Sequence, residues 1–353
     1  MKKDENSKEK SKEMRITIIA CVILLLIFGL IMQGCSSNNK DLMLQTRDDG
    51  EIVIGMSVMN YGFPFFQDLV ASAKLTADTM QVNLIEFGAE GDTVTQMNII
   101  DDMIYSMDID VICLNPVDSN AIGPSVLEAN DAGIPIVTVD VGTTEGRVEA
   151  HVSSDNMEIG RVAARYALQL LNEKYGEYSA TIVTVGFPQI SSMRQRIEGF
   201  QEVICQYPDI KLINRDPVKL NSELNMRLMD DLIQTYPVGT IDIVFGASGT
   251  TTSGLLAATE AAGRTDFKMI SVDSSPELNT KLLDENSVLS GMVVQFPTDM
   301  AREAIEMCVK VARGEQIKER VINTKIELVT RDTIEDYLKR MEIVEKEIAP
   351  YKR

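Results

Sequence analysis

Five apolar runs in this sequence stop at a side chain that can hydrogen-bond. Asn115 ends "VICLN", Asp140 ends "IPIVTVD", Ser248 ends "IDIVFGAS", Asp273 ends "KMISVD" and Gln295 ends "SGMVVQ". Each of these residue types also caps helices and builds turns, so one alone says little. Their recurrence at the same place in successive runs points to a shared cleft. Carboxylates, amides and hydroxyls without a catalytic partner suit the recognition of a neutral, hydroxyl-rich ligand, because one carboxylate can accept from two neighbouring hydroxyls. A second concentration lies in "MNYGFPFFQDLV", where Tyr61, Phe63, Phe65 and Phe66 place four aromatic rings within six residues of a chain that has no Trp, 9 Tyr and 10 Phe. Flat rings cover the C–H faces of a sugar with little loss of side-chain entropy. Phe65 is expected to face the ligand, and Phe66 either the ligand or the core, since its spacing to Val70 is helical.

The residues of an enzyme are missing. The single His, His151, leaves no Ser–His dyad and no histidine metal site. "GASGT" around Ser248 departs from GxSxG at Thr250. Neither GxxxxGK[ST] nor a GxGxxG following a strand occurs. No catalysis, cofactor or metal is expected.

From Glu51 onward, Val- and Ile-rich runs of four to eight residues ("EIVIGMSV", "VNLIEFGA", "VICLNPV", "IPIVTVD", "ATIVTVGF", "IDIVFGAS", "KMISVDSS", "LSGMVVQ") alternate with amphipathic stretches. These stretches, Pro64 to Met80, Asn120 to Ala132, Asn156 to Lys174, Ser191 to Gln206 and Thr298 to Arg313, predict helices. Strand then helix, repeated so often, means α/β architecture with doubly wound parallel sheets. The length of 353 residues and the number of runs exceed one sheet and one core. A division near Ser153 to Asp155 yields two halves of similar pattern. In such sheets ligands bind beyond the carboxyl ends of the strands, where the five polar residues fall.

The first 34 residues are of another kind. A charged stretch, "MKKDENSKEKSKEMR", precedes the apolar run Ile16 to Met32, as in an export signal. The run ends in "IMQGCSSNNK", whose Gly34 and Cys35 followed by a Ser/Asn-rich tether resemble a bacterial lipoprotein signal. Either Cys35 is lipidated or the run remains as a single-pass anchor; both place the remaining chain outside the cytoplasm. The whole chain has a formal charge of −19, and removing the six basic and four acidic residues of this segment leaves 28 basic against 49 acidic. Nucleic acid and anionic membrane surfaces are excluded as partners. Cys113, Cys205 and Cys308 lack ligand spacing and read as small buried hydrophobes.

Taken with their order, "IGMSVMNYGFPFFQDL", "VICLNPVDSNAIG", "AGIPIVTVD", "HVSSDNMEIGR", "RQRIEGFQ", "ISVDSSPE" and "VVQFPTDM" resemble the type I periplasmic sugar-binding proteins over about residues 51 to 330, nearest to the ribose-binding branch that serves ABC transporters. The resemblance implies two lobes joined by three hinge crossovers: residues 51–154 with 296–325, and 155–295 with 326–345, followed by a tail at 346–353. It implies ligand contacts from Phe65, Phe66, Asn115, Asp140, Arg194, Asp273 and Gln295. Four positions depart from the pattern. Val141 stands for an Arg, Phe63 for an Asn, Leu220 for an aromatic, and Ser248-Gly249 for an Asn-Asp pair, which argues against ribose itself. The partner would be a permease that reads the closed form of a monomeric binding protein. A membrane sensor is the alternative, while a transcription regulator would need a DNA-binding helix pair where the export signal stands.

Overall fold

The computed structural model describes residues 50–352 apart from 177 and 218–220, and the side chain of Tyr175 is not considered. Cys35, the signal segment, the tether and Leu220 lie outside the described residues. From Ile52 to Arg353 the chain forms one compact unit, built on two six-stranded sheets.

The first lobe contains β1 (Val53–Val58), β2 (Asn83–Gly88), β3 (Val111–Leu114), β4 (Ile136–Val139), β5 (Ala150–Ser154) and β11 (Val321–Thr324), in the order β11-β5-β4-β3-β1-β2. The second contains β6 (Ala180–Val185), β7 (Ile210–Arg215), β8 (Ile243–Gly246), β9 (Lys268–Val272), β10 (Leu289–Gln295) and β12 (Ile326–Thr330), in the order β12-β10-β9-β8-β6-β7. Every pairing is parallel except that of β12 with β10. β-Branched residues fill the middle strands because both faces are covered, so β1, β3, β4, β8 and β10 are buried along their whole length.

The helices follow from their caps and apolar faces. α1 (Pro64–Met80) starts at a proline whose fixed φ suits the first helical position, and ends at Gln81 in the left-handed region. α2 (Thr93–Tyr105) is capped by Asp92, and α3 (Gly123–Asp131) begins with a Gly-Pro pair, three residues later than the sequence suggested, because Asn120 and Ala121 form a turn on Asp118. α4 (Asn156–Tyr175) opens with an Asp155 side chain accepting from the amide of Glu158 and closes at Gly176. α5 (Ser191–Ile204), α6 (Ser222–Thr235), α7 (Gly249–Ala261), α8 (Pro276–Leu283), α9 (Pro297–Ala312) and α10 (Ile334–Ile348) complete the layers.

In the first lobe α1 and α9 cover one face of the sheet through Leu69, Val70, Met300 and Ile305. α2 and α3 cover the other through Ile100, Met103 and Val126. In the second lobe α4 and α5 bury Ile159, Leu171 and Phe200, and the opposite face takes Met229, Leu255, Leu278 and Tyr337. Each such side chain stabilises the fold by about 1.5–3 kcal/mol relative to exposure.

The polypeptide passes between sheets after β5, after β10 and between β11 and β12. Residues 346–352, expected as a tail, instead finish α10 and form a short 3-10 turn. Lys352 Nζ lies 2.8 Å from Asp68 on α1 and also pairs with Glu345. Cys113 and Cys308 are buried free thiols in contact with each other, and burial holds Cys308 well above the ordinary thiol range. Cys205 is exposed where α5 ends, contrary to the sequence expectation.

Candidate ligand-binding cleft

Strand ends from both sheets converge on a cavity of about 60 Å3 between the lobes. Of the residues from which the sequence leads one to expect ligand contacts, Phe65, Phe66, Asp140, Ser248, Asp273 and Gln295 line it. Asn115 and Arg194 do not.

Asn115 stands one layer behind. Its Oδ1 accepts from the Met59 amide at 3.0 Å, and its Nδ2 donates to the Val139 carbonyl at 3.1 Å and to Asp140 Oδ2 at 3.3 Å. It therefore fixes Asp140 and the start of the aromatic segment.

Arg194 turns away from the cavity, donating to the Pro188 carbonyl at 3.0 Å beside Glu198. Arg196 occupies the place that the family pattern suggested for Arg194. The cause is the phase of α5, which is set by two glycines where it crosses α4. A Cβ on Gly160 would lie 2.1 Å from the Arg196 carbonyl oxygen, and one on Gly199 would lie 2.1 Å from that of Met157, so no other residue permits this approach. Arg196 is thereby swung inward and is 3% exposed. Its Nε donates to Asn156 Oδ1 at 2.8 Å and Nη1 to the Ala247 carbonyl at 3.0 Å.

Asp140 and Asp273 both leave their strands with positive φ, 62° and 69°. Such a bend costs about 1 kcal/mol in a residue with a Cβ, and it turns each carboxylate toward the cavity. Burial pushes Asp140 up to about 7, with Arg196 opposing, Asp273 adding to the rise and the bond from Asn115 opposing. Asp273 accepts from Gln295 Nε2 at 2.6 Å and from the Gly249 amide at 3.2 Å. That leaves Gln295 Oε1 buried with no hydrogen-bond partner among the described residues. Ser248 caps α7, its Oγ accepting from the Thr251 amide at 3.2 Å and lying 3.0 Å from Thr251 Oγ1.

The rest of the wall is apolar. Phe65 and Phe66 meet edge to face with centroids 5.2 Å apart, and Phe63 is tilted against Phe66 at 6.2 Å. Phe66 is buried, packs with Ile190 and Met193 of the second lobe, and also borders the cavity, so its ring belongs to the core and to the cavity wall at once. Met59, Val141, Ser192 and Thr250 complete the lining. In the sequence Val141 stands out only as a departure from the family pattern and Thr250 only as the position that breaks GxSxG, while Met59, Ile190, Ser192 and Met193 carry no sequence signal because they sit on loops and first helical turns.

At the rim the Ser119 amide donates to the Gln189 carbonyl at 3.2 Å, and Ser119 Oγ accepts from the Ser191 amide at 3.1 Å. The two lobes are therefore closed on each other. A larger opening of about 440 Å3 between α1, α8 and α10 shares Phe65, Asp273 and Gln295 with the cleft but contains neither Asp140 nor Arg196. The convergence of charged strand ends, not size, marks the site. His151 is apart from it, its Nδ1 2.9 Å from Thr138 Oγ1, and burial lowers its pKa to about 4.

Residues 54–316 match the family model of the periplasmic binding protein domain. The chain belongs to this family. It is 27% identical over 265 residues to the ribose import binding protein of Escherichia coli (strain K12), covering 75% of this chain and 86% of that relative. Among solved structures, an ABC transporter solute binding protein from Bacillus halodurans with bound myo-inositol superposes with a TM-score of 0.73 at 26% identity, covering 84% of this chain and all of that one. One from Mycobacterium smegmatis with bound glycerol gives 0.74 at 27% identity, covering 81% and 96%. This type I periplasmic binding protein thus has relatives whose ligands are sugars and polyols, on a common frame of two α/β lobes with parallel sheets.

Proposed function

We propose that the chain is an extracytoplasmic solute-binding protein that takes a small sugar or sugar-like polyol between its lobes and, once closed, presents it to an ABC transporter permease. The observation carrying this is the convergence of Asp140 and the phenylalanines from one lobe with Arg196 and Asp273 from the other, joined by Gln295 at a crossover. A ligand touching both sets binds the closed form better than the open one, and that differential affinity is the signal. Asp140 and Arg196 would hold hydroxyls, Gln295 Oε1 would accept another, and the rings would cover C–H faces. Asn115 would position Asp140, while Ser248 would shape α7 beneath the ligand.

Under this reading the protein is a monomer that catalyses no reaction and needs no cofactor. The lobes would comprise residues 51–154 with 296–325, and 155–295 with the rest. Cys35 would carry a lipid that keeps the protein at the membrane. Incorporation of a labelled fatty acid, lost in Cys35→Ala, tests the anchor. Among the described residues no helix is long and apolar enough to cross a membrane.

The binding test is a thermal-shift and calorimetric screen of residues 41–353 against pentoses, hexoses, polyols, sugar phosphates and nucleosides. A true ligand at 100 times its Kd stabilises the fold by about 2.7 kcal/mol. The expected outcome is a shift with a neutral sugar or polyol that Asp140→Ala removes. A panel without any shift, or a shift that survives that substitution, would reject the reading.

A further inference from the structure

α10 starts in the second lobe and ends against the first. Ile334 and Tyr337 are buried in the second lobe's core, and Leu338 and Met341 pack against it. The 15 residues of this helix reach about 22 Å, and the 3-10 turn that follows, Ala349–Tyr351, rests on α1 of the first lobe. The opening of about 440 Å3 between α1, α8 and α10 leaves this junction hollow, and Asp68, Glu345 and Lys352 stand in its wall. Lys352 Nζ is 2.8 Å from Asp68 Oδ1 and also pairs with Glu345 on the last turn of α10, while the Tyr351 hydroxyl donates to Asp78 on α1. One ammonium therefore sits between a carboxylate from each lobe. Burial raises the pKa of Asp68, Lys352 opposes the rise, and the charge of Glu345 adds to it.

We propose that Lys352 is an electrostatic clasp between the lobes, which favours the closed form before any solute is bound by holding Asp68 and Glu345 together across their boundary. Without the ammonium, two carboxylates face each other over a hollow junction, and parting α1 from α10 relieves their repulsion. The clasp thereby sets how much closed form a solute meets, whatever that solute is, and so scales its apparent affinity.

Amide hydrogen exchange followed by mass spectrometry, on the full-length chain without solute in a sugar-free detergent, tests the clasp at a place separate from it. The Ser119 and Ser191 amides donate across the lobes and lie on neither α1 nor α10, so each opening exposes them to exchange. Lys352→Met should raise their exchange rate about twofold to fivefold, the range for one partly exposed ion pair, and leave the amides of β3 unchanged. Adding Asp68→Asn to Lys352→Met removes the repulsion and should bring the rim rate back toward that of the unaltered chain. A rim rate that Lys352→Met leaves unchanged, a rise shared equally by β3, or a double variant no slower than Lys352→Met would overturn the clasp.

Discussion

Asp140 and Asp273 hold equivalent places in the two lobes. Each follows a strand of its sheet, and each amide donates to the neighbouring strand, to the Val152 carbonyl at 2.8 Å and the Val293 carbonyl at 3.1 Å. Both bend into positive φ. What surrounds the two carboxylates differs. Asp273 is clamped by Gln295 and the Gly249 amide, while Asp140 has the single 3.3 Å bond from Asn115 and a burial that raises its pKa to about 7. The second lobe's acid is held in place by two protein donors, whereas the first lobe's acid has one longer bond and borders the cavity. Similar backbone geometry thus comes with two surroundings: one carboxylate braces Gln295, and the other, under the proposed function, would be the one to read the solute.

The strongest way to break this comparison is to remove the cation opposite Asp140. Arg196→Met should weaken solute binding by about a thousandfold, since truncating a buried charge partner costs about 2–5 kcal/mol. Arg194→Ala should change it less than twofold, and comparable losses in the two variants by calorimetry would reject the placement of Arg196.

Exchanging the acids themselves sharpens the contrast. Asp140→Asn should reduce affinity about a hundredfold and Asp273→Asn about tenfold, because only the former loses a carboxylate free to bind hydroxyls. Equal losses would erase the distinction.

Acidity offers a third probe. The folded chain keeps a proton on Asp140 that the unfolded chain releases near its ordinary 3.8, so this group's contribution to stability falls as pH climbs from about 4 to about 7. His151 acts in the opposite sense. Lowered to about 4 from 6.5, it stays neutral in the fold while the unfolded chain takes up a proton, so its contribution is full above about 6.5 and is lost as pH falls toward 4. The two slopes oppose one another below about pH 6.5. In Asp140→Asn only that of His151 remains, and Tm should rise more steeply from pH 4 to 6.5 than in the unaltered chain. Parallel Tm curves would show Asp140 to be an ordinary carboxylate.

The smallest effect belongs to the rim. Ser119→Ala removes the acceptor for the Ser191 amide but keeps the backbone bond to Gln189. One neutral hydrogen bond is worth about 1 kcal/mol, so affinity should drop by roughly threefold to fivefold, with a faster off-rate.

Much of this was legible in the sequence. The Val- and Ile-rich runs became strands because both faces of each sheet are covered, and four of the five strand-end residues reached the cleft because parallel strands all point their carboxyl ends one way. Asn115 was found for the right position and assigned too direct a role; a strand end says which rim a side chain occupies and not which layer. The choice between Arg194 and Arg196 was open to a finer reading. Arg196 shares its helix face with Ser192, Met193, Gly199 and Phe200, all buried, while Arg194 aligns with Glu198 and Gln201. Helical phase favours Arg196, and motif alignment alone does not capture it. Met59, Ile190 and Thr250 gave no such signal, since loops and first helical turns have no periodicity to read.

The rim contact between Ser119 and the segment 189–191 also makes the molecule a ready optical gauge. The chain contains no tryptophan, so Gln189→Trp would install a single indole against a dark background. The exposed side chain of Gln189 leaves its carbonyl bond to Ser119 untouched. Emission from that one ring would change as the rim parts and meets, giving a label-free record of each opening.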